Sequence, residues 1–260
     1  MLGLYDSGLG GLTVLAALRR AGIDQDVVYF ADQAHVPYGD RTDADLCALL
    51  AGNFALLDAY GVDAVVMACN TSCAVAARQG GFPRSRLPVL DLIANAAASL
   101  RDTRFARIAV FATSATVRSG AYRRAIAAQA PRVEVIELAA PALVPLVEDG
   151  LAATAQARDA VRSLCRALPS GVDAILYGCT HYPLLDAHFA AALEPRIVRV
   201  DPALAQAAAA AALVRSLALP PGNGITHYLT SGDLGAFESN VRSWTGDRSG
   251  TFASTNALAS

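Results

Sequence analysis

The chain has 260 residues, of which 54% are hydrophobic and 17% are charged, and its formal net charge is −2. This length is enough for one large domain or two smaller ones, and the composition excludes a disordered chain. The small negative charge gives no electrostatic reason to bind nucleic acid or a membrane surface. The N-terminus has no basic stretch like that of a secretory signal, and the longest apolar run, residues 207–214, is far short of the roughly 20 residues of a membrane span. We therefore expect a cytoplasmic protein.

All 21 side chains counted as lysine or arginine are arginines. A pyridoxal-phosphate enzyme needs a lysine for its Schiff base, and a Walker-type phosphate loop needs one as well, so the sequence excludes both mechanisms. The five cysteines include no C-x-x-C pair, which argues against a disulfide framework and against a zinc ribbon. The histidines show no metal-ligand spacing. We therefore predict neither cofactor nor metal.

Short apolar runs alternate with longer alanine-rich stretches that are apolar at helical spacing. The predicted strands cover residues 2–5, 27–31, 64–68, 88–92, 107–112, 133–138, 174–178, 196–200 and 227–231. Continuous apolar strands joined by helices predict an α/β fold with mainly parallel sheets. In such sheets ligands bind beyond the carboxyl ends of the strands.

A charged, exposed stretch near residues 94–105 predicts a domain boundary, and a second boundary is predicted near Pro202. The first domain would then combine residues 1–95 and 205–245, and the second would cover residues 96–204. The small, polar stretch 246–260 is predicted to be a flexible tail.

Two cysteines occupy matching positions. Cys69 in "ACNT" and Cys179 in "GCTH" each close an apolar strand where a helix should begin. Backbone N–H groups at a helix start favour a thiolate. Taken singly, each cysteine is better explained as a small buried hydrophobic residue than as a nucleophile, and this is our interpretation of Cys47 and Cys165. As a pair, they suggest two thiols working from opposite sides of one ligand.

Other candidates have ordinary alternatives. Asp6 in "YDSGLGG" would point into the cleft and position or accept a proton, although a tight turn with Ser7 as helix cap explains the rest of that motif. Tyr38 and Gly39 could offer a hydroxyl and a backbone N–H, or could simply form a proline-glycine turn. His181 could tune Cys179.

These motifs together resemble the glutamate racemases of the aspartate/glutamate racemase superfamily. The matching stretches are "YDSGLGGLTVL", "HVPYGDRT", "ACNT", "VRSGAYRRAI", "PLVEDG", "GCTHYPLL" and "TSGD", in family order from residue 2 to about 245. The resemblance implies two α/β domains that face each other across a central cleft. It also implies cofactor-independent inversion of the α-carbon of glutamate, which supplies D-glutamate for peptidoglycan.

The resemblance implies the role of each residue as well. Cys69 would act on the D-enantiomer and Cys179 on the L-enantiomer, assisted by Asp6 and His181 respectively. Glu148, which on its own reads as a solvated helix end, becomes a catalytic helper. The residues that would hold the substrate are Asp6, Ser7, Tyr38, Gly39, Asn70, Thr71, Thr180 and His181.

The chain departs from the family pattern at three places. His35 replaces the usual arginine, Ala140 replaces a frequent cysteine, and "TSC" with Cys73 replaces "TAS". Aspartate racemases usually have glutamate where this chain has His181, so glutamate is the preferred substrate. The rivals are an aspartate or other amino-acid racemase of the superfamily, a cysteine hydrolase, and a non-enzymatic protein that modulates gyrase. No residue decides whether the chain forms a homodimer.

Overall fold

Two parallel sheets form the framework of the protein. The computed structural model describes residues 1–83 and 85–255. The first sheet has the strand order β10-β9-β2-β1-β3-β4, and the second has the order β6-β5-β7-β8. The strands are β1 (Leu2–Asp6), β2 (Val27–Ala31), β3 (Ala64–Met67), β4 (Val89–Leu90), β5 (Arg107–Ala112), β6 (Glu134–Ala139), β7 (Ala174–Gly178), β8 (Val198–Val200), β9 (Thr226–Thr230) and β10 (Thr251–Ser254). The predicted α/β fold with parallel sheets is confirmed.

Helices connect the strands and cover the sheets. They are α1 (Leu12–Arg20), α2 (Asp43–Ala59), α3 (Asn70–Arg78), α4 (Leu92–Ser99), α5 (Ser114–Ser119), α6 (Ala121–Gln129), α7 (Leu143–Glu148), α8 (Ala155–Arg166), α9 (Asp186–Ala192), α10 (Pro202–Ser216) and α11 (Leu234–Thr245). Several begin where a polar side chain caps free backbone N–H groups; Thr42 accepts from the N–H of Asp45, and Thr154 from that of Ala157.

Most strands lie where the apolar runs predict them. The strands at 27–31, 107–112 and 174–178 have the predicted bounds. The strand predicted at 88–92 is only two residues long, because the Asp91 side chain accepts hydrogen bonds from the N–H groups of Ile93 and Ala94 and so begins α4. The cap therefore ends the strand earlier than its apolar pattern suggests.

The C-terminal stretch differs from the prediction. Residues 251–254 form β10, which pairs in parallel with β9. The Phe252 ring stacks on Tyr228 at 4.8 Å between centroids, and the Arg242 guanidinium lies 4.8 Å from the Phe252 centroid. The prediction of a flexible tail was thus wrong for these four residues, because one aromatic side chain anchors a stretch that is otherwise small and polar. Residues 256–260 lie outside the described residues.

The chain passes between the two sheets twice, through α4 and through α10, and the predicted boundaries near 95 and 205 fall within these helices. Asn95 Nδ2 donates to Gln206 Oε1 at 2.7 Å. Gln206 Nε2 in turn donates to the carbonyls of Met67 and Leu90, at 2.7 and 2.8 Å. The two crossing helices are therefore tied to each other and to the carboxyl ends of β3 and β4. The residue bounds of the two domains stay a prediction.

Candidate active site

Cys69 lies at the carboxyl end of β3 and is the N-cap residue of α3. It is buried, with 4% of its surface exposed. Burial and, after it, the nearby Asp6 carboxylate raise the pKa of Cys69 to about 12, against hydrogen bonds from Ser72 and Ser7 that lower it. Cys69 is therefore a protonated thiol at neutral pH.

Cys179 lies at the carboxyl end of β7, the matching position in the second sheet. Its Sγ atom is 3.6 Å from His181 Nδ1, and His181 Nε2 is 2.5 Å from Glu148 Oε1. The same carboxylate oxygen accepts the backbone N–H of Leu9 at 2.8 Å, and Gln33 donates to Oε2 at 3.3 Å. Glu148 thus belongs to a buried Cys–His–carboxylate series and is not a solvated helix end.

The charges of this series follow from its burial and its partners. Burial lowers the pKa of His181, but Cys179 and Glu148 together outweigh burial and hold that pKa well above its ordinary value. Burial raises the pKa of Glu148, but hydrogen bonding and charge attraction from His181 bring it below its usual range. His181 is therefore a cation and Glu148 an anion at neutral pH. The His181 cation therefore lies 3.6 Å from the Cys179 sulfur, where it can attract a negative charge that forms there.

Asp6 turns away from the position that the sequence suggests. Its Oδ2 accepts the N–H groups of Gly8 and Gly11, at 3.2 and 2.8 Å, and its Oδ1 accepts the Thr180 hydroxyl at 3.3 Å. The side chain is fully buried, and burial raises the pKa of Asp6 despite His181 and these N–H groups. Asp6 therefore organises its own loop and affects Cys69 through its charge, without opening into the cavity.

Two glycines in the Asp6 loop permit the close approach of the two halves, and a third permits the turn of the loop itself. A Cβ on Gly10 would lie 2.5 Å from both His181 Nδ1 and Thr180 Oγ1. A Cβ on Gly8 would overlap the Glu148 carboxylate. A Cβ on Gly11 would lie 2.6 Å from the Cβ of Asp6. A tight turn, the alternative left open by the sequence, does not account for these contacts. Gly8 and Gly10 are needed because Glu148 and His181 pack directly against this backbone.

The two cysteines line one cavity of about 50 Å³. Its lining includes Ser7, Tyr38, Gly39, Cys69, Asn70 and Thr71 from the first half and Thr113, Ser114, Cys179, Thr180 and His181 from the second. The Asn70 side chain is buried, and its Oδ1 accepts the Tyr122 hydroxyl at 2.6 Å. Within the described part of the chain its Nδ2 has no hydrogen-bond partner. A buried amide donor without a partner at a cavity wall is suited to a ligand carboxylate.

Sequence reasoning missed part of this cavity. Thr113 follows β5, and its hydroxyl lies 3.0 Å from that of Thr71 across the two halves. The rule that ligands bind beyond strand ends could have found it. The Tyr38 hydroxyl, expected to be free for a ligand, donates to Asp32 at 2.5 Å. Cys73 is fully buried, and burial raises its pKa, so it behaves as an inert core residue.

Size alone does not identify the site. A larger cavity, of about 630 Å³, lies between α1, α11 and the loop at Pro183, and includes Arg19 and Trp244 in its lining. Its described lining contains no cysteine.

Among residues 1–83 and 85–255, no group of three or more histidine, cysteine or acidic side chains is arranged to hold a metal ion. In the same part of the chain, no helix is long and apolar enough to cross a membrane.

Two α/β halves that each bring a cysteine to a shared cavity form the arrangement implied by the sequence motifs, and comparison with known proteins agrees. Residues 13–210 match the Asp/Glu/Hydantoin racemase family. The chain belongs to this family. It is 43% identical to a glutamate racemase of Gloeobacter violaceus over 251 residues, which cover 94% of this chain and 92% of that protein.

Solved structures give the same result. The fold matches the glutamate racemase isoform RacE1 of Bacillus anthracis with a TM-score of 0.88 and 27% identity, over 96% of each chain. It matches the Thermus thermophilus glutamate racemase, solved in complex with β-chloro-D-alanine, with a TM-score of 0.81 and 34% identity, over 98% of this chain and 97% of that one. The predicted family and its two-domain fold are confirmed.

The close approach at Gly10 predicts the effect of a single methyl group. In Gly10→Ala the new Cβ must displace His181 and Thr180, and we expect kcat/KM for racemisation to fall about 100-fold, as for other displacements of about 1 Å at a reacting centre. Gly52→Ala is the matched control, because a Cβ at Gly52 meets no atom within 4 Å. The rate at which each variant racemises glutamate is measured by circular dichroism. An equal loss in both would contradict this explanation of the glycines.

The contact between Glu148 and His181 predicts that substitution of Glu148 changes the reactivity of the Cys179 thiol. In Glu148→Gln the negative charge that helps Cys179 to raise the pKa of His181 is lost, so that pKa falls and less positive charge faces the Cys179 sulfur. We expect alkylation of Cys179 by iodoacetamide at pH 7 to slow about tenfold, the effect of losing about 1.4 kcal/mol of charge stabilisation. The difference should vanish at high pH, where the thiol ionises without help.

Glu134→Gln is the control, since it removes a carboxylate that pairs with Arg107 at the protein surface. Peptide mass spectrometry measures labelling at each cysteine. Unchanged labelling of Cys179 in Glu148→Gln would show that the carboxylate does not act through His181.

Proposed function

We propose that the protein interconverts L-glutamate and D-glutamate without a cofactor, by proton transfer between Cys179 and Cys69. The observation that carries this proposal is the difference between the two thiols at one cavity: Cys69 is held protonated, and Cys179 lies beside a buried cation. A reaction that inverts one carbon needs a base on one face and an acid on the other. The family and the named glutamate racemases similar to this chain support the same conclusion.

In the L-to-D direction, the Cys179 thiolate removes the α-proton of L-glutamate and becomes a thiol. The electron pair of the broken C–H bond stays on the α-carbon as a carbanion. The Cys69 thiol then donates its proton to the opposite face, giving D-glutamate and a Cys69 thiolate. In the other direction the roles reverse. His181 and Glu148 hold the positive charge next to Cys179, while Asp6 keeps the proton on Cys69 through its negative charge.

The unpaired Nδ2 of Asn70 and the hydroxyl groups of Ser7, Thr71 and Thr180 line the cavity and are suited to the carboxylates of the substrate. D-glutamate would serve peptidoglycan synthesis. All five cysteines are free, which suits a reducing cytoplasm.

A thiol hydrolase is the second candidate, because Cys179, His181 and Glu148 have the order of a nucleophile, its base and an orienting carboxylate. Such an enzyme has no use for Cys69 on the other wall. Hydrolysis of activated esters or amides that survives Cys69→Ser would favour this candidate over the racemase.

Isotope incorporation tests the two-thiol mechanism. In D₂O, the D-glutamate formed from L-glutamate should carry deuterium at the α-carbon from the first turnovers, while the remaining L-glutamate stays protiated. Cys69→Ser and Cys179→Ser should each lower racemisation by about 10²–10⁴-fold, because a serine hydroxyl is a far weaker acid. The control is Cys165→Ser, which changes a cysteine outside the cavity. NMR measures the label. Near-parental racemisation by either cavity variant would refute the paired-thiol mechanism.

Substrate choice is a separate prediction. His181 presents a cation where aspartate racemases usually carry a carboxylate, so we expect kcat/KM for glutamate to exceed that for aspartate. A difference of one methylene corresponds to about 10–200-fold discrimination. Polarimetry with each amino acid measures the ratio, and a ratio near one would contradict glutamate as the preferred substrate.

A further inference from the structure

The proposed reaction leaves the two thiols in the wrong protonation states. After L-glutamate becomes D-glutamate, Cys69 is a thiolate and must regain a proton before the next turnover in that direction. Cys69 exposes only 4% of its surface, in a cavity of about 50 Å³. Cys179 has a titrating partner in His181. The question is how protons reach Cys69 in the free enzyme once the cavity has closed again after product release.

A continuous series of hydroxyl groups begins next to Cys69. Ser72 is the third residue after this N-cap cysteine, the position from which a side chain can reach back to the cap, and its hydroxyl and N–H both interact with the sulfur. The Ser72 hydroxyl also lies 3.4 Å from the Tyr5 hydroxyl. Tyr5 donates to the Tyr38 hydroxyl at 2.8 Å. Tyr38 donates to Asp32 Oδ2 at 2.5 Å.

The series ends at the surface. Asp32 Oδ1 lies 2.8 Å from His35 Nδ1. Ser72 and Tyr5 are fully buried, Asp32 and Tyr38 nearly so, whereas 41% of the His35 side chain is exposed. Four buried groups thus separate the sulfur from one imidazole in contact with water.

Resting on the proposed function, we propose that Ser72, Tyr5, Tyr38, Asp32 and His35 form a proton relay that connects Cys69 with solvent. In the observed arrangement the hydroxyl groups of Ser72, Tyr5 and Tyr38 donate toward Asp32, which leaves the Ser72 oxygen free to accept from the Cys69 thiol. When Cys69 is a thiolate, the Ser72 hydroxyl rotates and donates to the sulfur. One proton moves from Cys69 to Ser72, and each hydroxyl passes its own proton onward to the next oxygen. Asp32 Oδ2 gains the last one. Each hydroxyl group ends neutral, Cys69 becomes a thiolate and Asp32 becomes a neutral acid.

The second half of the transfer is a step from Asp32 to His35. A half-turn of the carboxyl group exchanges its two oxygens and brings the proton to His35 Nδ1, and the imidazolium then releases a proton to water or buffer from Nε2. The reverse sequence, after the hydroxyl groups rotate, carries one proton from solvent to the Cys69 thiolate. The relay therefore resets the enzyme in the L-to-D direction and prepares the thiolate in the D-to-L direction.

His35→Gln tests the relay at its exposed end, because glutamine keeps a donor for Asp32 but carries no exchangeable charge. Full-length protein is assayed by circular dichroism in dilute buffer without imidazole. We expect kcat to fall about tenfold. We expect kcat/KM to stay unchanged, because the thiol is reset after product release. Added imidazole should restore kcat with saturation. A parental kcat without an imidazole effect would overturn the relay.

Two further variants separate a relay from a structural role. Ser231→Ala removes the other hydrogen bond to Asp32 Oδ1, of 2.7 Å, without removing a titrating group, and should keep kcat. Tyr5→Phe breaks the series at its middle and should lower kcat in a way that imidazole does not restore. An equal loss in Ser231→Ala without imidazole rescue would mean that Asp32 is only being positioned. Full rescue of Tyr5→Phe would mean that imidazole reaches Cys69 directly. Either result overturns the relay.

Failure of the relay and failure of the proposed function give different results. Cys69→Ser measured in the same assay reports on the thiol itself. If this variant racemises at a near-parental rate, the paired-thiol reaction is wrong. If it is inactive while His35→Gln keeps its kcat, the reaction stands and the relay does not.

Discussion

The contact between Glu148 and His181 is the interaction on which the rest of the site depends. Two buried ions of opposite charge are stable in a protein interior only when they are paired and hydrogen-bonded. Here the N–H of Leu9 supplies the further hydrogen bond to Glu148, so the loop of the first half completes an ion pair that belongs to the second. That loop can come so close only because glycines stand at its tight contacts. The glycines in the loop of the first half thus allow the hydrogen bond that supports the Glu148–His181 ion pair beside Cys179 in the second half.

The sequence predicts the features that arise from local patterns. Apolar runs give most of the strands, and the ends of β3 and β7 place Cys69 and Cys179 at the carboxyl edges of two sheets. The resemblance supplies the pairing of these edges across a cavity. Local patterns are sufficient to predict these strands because a strand that is buried on both faces is a continuous apolar run in its own sequence.

Contacts between distant residues are not readable in this way. Glu148 looks like an exposed helix end until the fold brings it to His181, 33 positions along the chain. Tyr38 looks like a free hydroxyl until Asp32 and Tyr5 occupy it. Asp6 reads as a group that points into the cleft, yet backbone N–H groups of its own loop hold it away. In each case a hydrogen-bond partner decides the direction of the side chain, and the partner is known only from the fold.

The small cavity adds a constraint that links binding to chemistry. A volume of about 50 Å³ has room for a few water molecules but not for glutamate, so the proposed substrate reaches the cysteines only when the two walls separate. The contacts that hold the walls together include the Thr71–Thr113 hydroxyl contact and the hydrogen bond from Leu9 to Glu148. The hydroxyl contact is neutral and contributes about 1 kcal/mol, and the hydrogen bond to the Glu148 anion contributes about 1.5–3 kcal/mol, so opening is within thermal reach. A separation of the Asp6 loop from the second half would break the hydrogen bond from Leu9 to Glu148, and closure would restore it. Closure around the proposed substrate would therefore also complete the hydrogen bonding of the ion pair beside Cys179.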